Sequence, residues 1–429
     1  MQKFRITKPV NPWQSLIISF ALLIISGMIL LKMPWVIHRE GLNWLDALFT
    51  SSSAVCVTGL TVVPTSGFNQ AGQWTILLLI QLGAIGIMTL TTSFLLLIRG
   101  KIGLKHKLEF SQLQEGFSLA GTTFLLKEII KITFAIELIG ALLLWPGFIQ
   151  EGFSIGQSAY LSVFHSVSAF CNAGFSTFDE SLTGMNTWIK IVVALLIISG
   201  GLGYLVLFEI RHFPRQAKLS FHSKIVLITT AGLLIAGVLF LALFDWSHLS
   251  VSDMFFQSVT ARTAGFNTVD LQNLSYGSVF TLMLLMFIGA SPGSTGGGIK
   301  TTVFFVILSS IFSVLKGKEE VVVFHRTLTR KTIMKAFATA ILYFLIITIG
   351  VLILLQSHEL SFERSLFEAI SAMGTVGLSL DVTTHLNHTG KWTIIALMFI
   401  GRVGPASFAL ATMISGKKLN IKYPKAELY

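Results

Sequence analysis

Apolar residues run along this 429-residue chain in blocks too long and too continuous to be the buried stripe of a soluble helix. A run of roughly 20 such residues crosses the hydrocarbon core of a bilayer as an α-helix. Between paired long blocks lie shorter amphipathic runs that cannot cross. The pattern predicts four successive units, each a span, a half-helix, a loop and a second span. The first has spans at 13–33 and 72–98 around a half-helix that begins near Asn43. The second reads span 121–146, half-helix 158–170, loop 171–176 and span 186–209. The third reads span 225–244, half-helix 252–262, loop 263–267 and a long segment 276–315. In the fourth, span 336–356 leads to half-helix 363–374, loop 375–379 and span 390–413. The expected fold is all-α and integral to the membrane, with eight transmembrane helices around a pseudo-four-fold central pore. One pore domain covers 13–413, its repeats at about 13–98, 121–209, 225–315 and 336–413; residues 1–12 and 414–429 are expected to be cytoplasmic tails.

The half-helices repeat in detail. Phe367–Leu378 reads FEAISAMGTVGL, Phe49–Leu60 FTSSSAVCVTGL, Phe164–Phe175 FHSVSAFCNAGF and Phe256–Phe266 FQSVTARTAGF. Each opens Phe-x-small-x-Ser/Thr-Ala and reaches a glycine (Gly59, Gly174, Gly265, Gly377) ten residues after the Phe, or nine in the third copy. Glycine adopts backbone conformations closed to other residues, so that carbonyl oxygens can all face one way. Rings of such carbonyls replace the hydration shell of a dehydrated cation in potassium-channel filters, whose loop reads T-V-G-Y-G. Four loops around one axis meet that requirement. The candidate filter residues are Val57, Thr58, Gly59, Asn172, Ala173, Gly174, Thr263, Ala264, Gly265, Thr375, Val376 and Gly377.

Composition agrees with the span pattern: 53% of residues are hydrophobic and 12% charged, against about 25% charged in soluble domains. Lys3, Arg5 and Lys8 lead into the first span without a small-residue cleavage site, so a cleaved signal is not expected. The net charge of +11 is distributed in a way that argues against nucleic acid. Five clusters, at 3–8, 99–107, 211–224, 316–335 and 417–425, hold 21 of the 31 basic residues and alternate with segments almost free of Lys and Arg. That is the positive-inside pattern, and it puts both termini in the cytoplasm. The basic excess meets anionic headgroups of the lipid bilayer or an acidic partner on that face. All four half-helices fall on the Lys/Arg-poor side, so the repeats are parallel. A secondary carrier for another small solute, the alternative reading, would use inverted ones. Cys56 and Cys171 read as structural thiols rather than a disulfide. Ser-His-Asp order, paired acid/base carboxylates and H-E-x-x-H are missing from the sequence, so an enzyme is not expected and no organic cofactor is implied.

One segment breaks the span pattern. Gly289, Ala290, Ser291, Pro292, Gly293, Ser294, Thr295, Gly296, Gly297 and Gly298 cannot stay helical. Non-helical backbone at membrane depth is tolerated where it is buried or lines water, which suggests a loop under the filter that blocks the pore or moves aside. A phosphate-binding reading of Gly293–Thr301 fails because Ile299 separates Gly298 from Lys300. The other second spans carry Gly83 and Gly86, Gly201 and Gly203, and Gly401 and Gly404; in the first two, close packing explains them. Arg402, a charge inside an apolar run, is expected to contact this loop or a filter carbonyl and impede cations in the closed state. Arg262 is expected to brace its half-helix through an acidic neighbour. Asp46 and Asp253 cap their half-helices or, with Glu368, concentrate cations at the outer mouth. His385 and His388 share H-x-x-H spacing in a polar outer loop with no Cys or further His nearby, so a metal site is not expected there.

These four repeats with one glycine per filter, the glycine-rich break in the third unit and GRVGP in the fourth together resemble the Ktr/Trk/HKT superfamily of potassium transporters, in particular the membrane subunit of bacterial Ktr systems. The resemblance covers nearly the whole chain. It implies that the twelve residues above line a potassium filter, that Gly289–Gly298 form an intramembrane gating loop, and that Arg402 lies below the filter. It further implies a homodimer with one pore per protomer in the bacterial cell membrane, docked on a cytosolic ring of nucleotide-binding regulatory subunits. The transported ion would be K+; many members depend on Na+. A serine in place of a filter glycine marks sodium-favouring plant members, and all four glycines are present here.

Overall fold

The computed structural model of the chain describes residues 12–36, 42–99, 122–216, 219–357 and 360–405. The basic clusters at 3–8 and 417–425, and Lys101, Lys105 and Lys107, lie outside the described residues. The first unit consists of α1 (Pro12–Leu31), half-helix α2 (Trp44–Cys56) and α3 (Gln70–Arg99). The second has α4 (Thr122–Gln150), half-helix α5 (Ile155–Phe170), α6 (Thr187–Leu202) and α7 (Tyr204–Gln216). The third has α8 (Phe221–Asp245), half-helix α9 (Val251–Thr260), α10 (Tyr276–Phe287) and α11 (Thr301–Leu315). A two-residue-stranded hairpin, β1 (Val322–Val323) with β2 (Arg326–Thr327), precedes α12 (Arg330–Ser357), half-helix α13 (Phe362–Gly374) and α14 (His388–Val403).

Short polar side chains start these helices. Asn43, Ser154, Ser250 and Ser361 cap the half-helices; Asn69, Asn186, Ser275 and Asn387 accept from the first turns of the second helices. Each satisfies one of the amides that a helix start leaves without a partner. Asp46 and Asp253 are therefore not the caps. Asp46 Oδ1 instead pairs with Lys391 Nζ at 2.6 Å, and Asp253 Oδ1 with Lys190 Nζ at 2.7 Å, each lysine coming from the adjoining unit.

Three of the four half-helices pack on their unit's first helix through a serine. The hydroxyls of Ser51, Ser166 and Ser258 donate to the carbonyls of Ile24, Glu137 and Leu234 at 2.7, 2.6 and 2.9 Å. Gly27, Gly140 and Gly237 lie three residues further on and face the same hydroxyls. Leu79, Leu196, Leu285 and Leu397 from the second helices close over Gly27, Gly140, Gly237 and Gly350; a Cβ there would sit 2.7–2.8 Å from leucine methyls. Small residues let backbones approach where lipid supplies no hydrophobic drive between helices. Large apolar side chains point outward instead, among them Leu138, Leu239, Leu243, Phe344 and Leu352, the surface a bilayer solvates.

The second helices differ from expectation. Gly86 (φ 79°, ψ 152°), Gly203 (φ 91°, ψ 146°) and Gly404 (φ 88°, ψ 132°) leave helical geometry, and α6 meets α7 at 104°. Close packing holds for Gly83; Gly86 is a bend with nothing within 4 Å, and Gly203 is a bend that is also packed against Pro292 O. Three residues before each bend, Gly83, Gly200 and Gly401 press on the carbonyls of Val55, Phe170 and Met373 at the half-helix ends. The carbonyl leaves no room for a side chain, and the glycine after it lets the chain turn away.

Candidate functional site

Every half-helix is followed within three residues by a non-glycine residue with positive φ: Val57 (56°), Asn172 (59°), Thr263 (89°) and Thr375 (49°). Three of the four are β-branched, for which this region is an outlier. Such strain costs of order 1–3 kcal/mol per residue and persists only where surroundings enforce it. The Ser/Thr in the fifth slot of the half-helix motif does the enforcing. Thr58 N donates to Ser53 O (2.8 Å) and Gly59 N to Ser53 Oγ (3.0 Å); Val376 N and Gly377 N bond Ser371 O (2.9 Å) and Oγ (3.1 Å) in the same way. Ala173 N bonds Ser168 O at 2.8 Å, and Ala264 N bonds Thr260 O at 2.9 Å. The strained turn thus sends each loop back along its half-helix.

The glycines follow at φ 93°, 70°, 80° and 97° for Gly59, Gly174, Gly265 and Gly377. A Cβ on Gly59 would run into Ala173 O, on Gly174 into Ala264 O, on Gly265 into Val376 O, and on Gly377 into Thr58 O. Those Cβ positions also lie 3.0–3.2 Å from the Cα of the next loop's glycine. Each loop touches the next and the fourth returns to the first, so the four close into a ring. Glycine is required there twice, by its φ and by the neighbouring carbonyl. Eight of the twelve candidate residues make these contacts, namely the four glycines with Thr58, Ala173, Ala264 and Val376; Asn172 and Thr263 hydrogen-bond through their side chains at 3.2 Å, and Val57 and Thr375 occupy the strained turns before Thr58 and Val376.

Residues 288–300 leave the helix, as the glycine-rich stretch predicts, and lie across the C-terminal ends of the half-helices. Thr295 Oγ1 donates to Phe170 O at 3.1 Å. A Cβ on Gly296 would meet Thr263, and on Gly297 it would meet Thr375 Oγ1 and Gly374 O. The bend in the second unit receives the segment: Ser291 N donates to Gly201 O (3.0 Å), Thr295 N to Gly200 O (3.3 Å), and Tyr204 N to Gly293 O (3.1 Å). From the opposite side Arg402 reaches in, with Nη1 donating to Thr295 O and Nη2 to Gly83 O at 2.6 Å. It touches the loop and a second-helix carbonyl, and none of its hydrogen bonds goes to a residue of the ring.

Arg262 corrects its expectation, because its guanidinium donates to Gly289 O at 3.4 Å rather than to an acidic neighbour. Lys300 was not singled out by sequence; its Nζ donates to Gly296 O at 2.8 Å and folds the loop on itself. Spacing could have revealed the bends, since Gly83/Gly86, Gly200/Gly203 and Gly401/Gly404 all stand three apart, whereas the third unit has Gly289 followed by Pro292. Cys56 and Cys171 are buried and free. His385 lies 3.8 Å from Asp381.

The family profile described as "Cation transport protein" (TrkH) matches residues 11–215 and 246–421. Among curated relatives, Ktr system potassium uptake protein B of Bacillus subtilis is 38% identical, the match covering 100% of this chain and 99% of that protein. Potassium/sodium uptake protein NtpJ of Enterococcus hirae is 34% identical over 100% and 99%. The solved structure of the potassium transporter TrkH from Vibrio parahaemolyticus superposes with a TM-score of 0.75 at 18% identity, covering 96% of this chain and 87% of the other, which shows a shared fold. The chain is a multi-pass, all-helical membrane protein that belongs to the TrkH/Ktr family of cation transport proteins.

Proposed function

We propose that this chain is the ion-translocating subunit of a Ktr-type potassium uptake system, with residues 13–413 forming one pore domain. The closed ring of four glycine-centred loops carries this reading. Its contacts are made by backbone, and stacked carbonyls are the ligands a dehydrated K+ needs. Val57, Thr58 and Gly59, with their counterparts Asn172–Gly174, Thr263–Gly265 and Thr375–Gly377, are the filter. With one glycine per loop, and Leu or Phe after it in place of the channels' tyrosine, fewer carbonyl layers are available. Discrimination against Na+ is accordingly weaker than in a T-V-G-Y-G filter, and Na+ is a second candidate cargo, as in the name of NtpJ.

Gly289–Gly298 act as the gate. The segment stands across the half-helix ends, and Arg402 holds it there with a positive charge that repels cations. Both termini and the basic clusters face the cytoplasm of a bacterial cell, where a nucleotide-binding ring subunit of the same system would release the gate. Homodimerisation with one pore per protomer is part of this reading. Ktr system relatives matched over 93–100% of each chain support the assignment to such a system.

The test is growth at limiting potassium of a bacterium lacking its own uptake systems, expressing the chain with and without a cognate cytosolic ring subunit. Rescue by the native chain and none by Gly377→Ser is the expected outcome, with rescue stronger when the ring is present. Failure of both chains despite membrane expression would overturn the proposal in favour of transport of another solute.

A further inference from the structure

The residue after the motif phenylalanine is polar in all four half-helices: Thr50, His165, Gln257 and Glu368, each with 0% exposure. So is the residue two beyond each ring glycine: Thr61, Ser176, Asn267 and Ser379. In two units these positions are joined. Ser379 Oγ donates to Glu368 Oε2 at 2.7 Å, Thr383 Oγ1 bonds the other carboxylate oxygen, and Ser379 Oγ accepts from Val382 N at 3.1 Å. In the second unit His165 Nε2 lies 3.1 Å from Ser176 Oγ, which accepts from Phe178 N at 3.1 Å. Thr50 Oγ1 and both amide atoms of Gln257 have no hydrogen-bond partner among the described residues. Because contacts around the ring run from the first loop through to the fourth, the joined units stand opposite one another.

We propose that Glu368–Ser379 and His165–Ser176 are positioning pairs that fix the outer ends of two opposed filter loops and so set ion affinity and potassium-over-sodium preference. The inference rests on the ring being the ion path. Each serine is two residues from a glycine whose carbonyl neighbours are packed to contact. Displacement of the serine therefore reaches the ring with little slack between. Glu368 acts here through hydrogen-bond geometry, not through its charge. An amide in its place can accept from one hydroxyl and donate to the other, whereas an alkyl chain can do neither and leaves buried hydroxyls unmatched.

Initial potassium uptake is measured against external K+, with and without competing Na+, in depleted cells carrying the full chain and its cytosolic partner. Ser379→Ala and Glu368→Leu should raise the half-saturating K+ about tenfold at unchanged maximal rate, the size of one lost buried hydrogen bond. Both should also strengthen inhibition by Na+. Glu368→Gln should stay within about twofold of the native chain, and Glu368→Leu/Ser379→Ala should be no worse than either single change. Thr50→Val should leave affinity unchanged. If Glu368→Leu fails to reach the membrane, Ser379→Ala and Glu368→Gln carry the test. Native affinity for Ser379→Ala, or Glu368→Gln as impaired as Glu368→Leu, would overturn the inference. Absence of potassium uptake by the native chain would instead refute the proposed function.

Discussion

The second helix of the third unit and those of the other three depart from helical geometry at the same depth but to different extents. Gly86, Gly203 and Gly404 each turn the chain with one residue. The third unit opens from Ile288 to Lys300. The single-residue bends interrupt their helices at one glycine each, and the longer opening fills the space beneath the ring. Its two flanks are held differently. Toward the second unit it has three backbone hydrogen bonds, from Ser291, Thr295 and to Gly293. On the far side the link to Gly83 of the first unit passes through the Arg402 side chain. The segment is thus held by backbone on the flank toward the second unit and by the Arg402 side chain toward the first, with Arg262 donating to Gly289 O besides.

That comparison is tested most severely at the ring itself, which is held from every side. Gly377→Ala puts a Cβ into Thr58 O at φ 97°. Potassium uptake should fall by at least about 100-fold with the protein still in the membrane, because filter spacing cannot absorb a sub-van-der-Waals contact. Gly86→Ala also places alanine at positive φ, 79°, but has nothing within 4 Å. It should cost only the backbone term of about 1–3 kcal/mol and keep uptake measurable. The next effect is at the flank held by a side chain. Arg402→Gln removes the charge and the tie to Gly83; uptake in the absence of the cytosolic subunit should rise roughly tenfold, the scale of one charged hydrogen bond.

On the backbone-held flank, Gly203→Ala combines φ 91° with a clash on Pro292 O, while Gly293→Ala has φ 70° and open space. The first should lower stability by about 3 kcal/mol and the second by about 1, read from detergent-solubilised melting curves. Comparable to the first is Lys391→Met. The pair with Asp46 has side chains only 17% and 19% exposed, so losing the lysine leaves a largely buried carboxylate without its partner and should cost about 3 kcal/mol; a double-mutant cycle with Asp46→Asn measures the pair itself.

Much of the architecture was legible because membrane spans depend on run length, and half-helices on a motif repeated four times. The fifth-slot serine and the ring glycine were both visible in that motif. Strain at Val57, Thr263 and Thr375 was not, since nothing in a β-branched residue announces positive φ; it is imposed by bonds to Ser53, Thr260 and Ser371. The bends show only in the three-residue glycine spacing, not in the glycines taken singly. A glycine serves tight packing and sharp turning equally, and Gly83 and Gly86 do one each. Arg262 misled because a buried guanidinium suggests a carboxylate, whereas the exposed carbonyls of a broken helix serve it as well. Asp46 and Asp253 look like caps by type, but Asn43 and Ser250 precede them in the capping positions and leave them to pair with lysines.

The most direct measurement compares potassium flux into proteoliposomes containing the full chain with that of Gly59→Ala, Gly174→Ala, Gly265→Ala and Gly377→Ala, made one at a time. If the four loops form one closed ring around the ion, every single substitution abolishes flux that the native chain supports. Native-level flux through any one of the four would contradict it, because the ion would then be passing a path that the loop does not line.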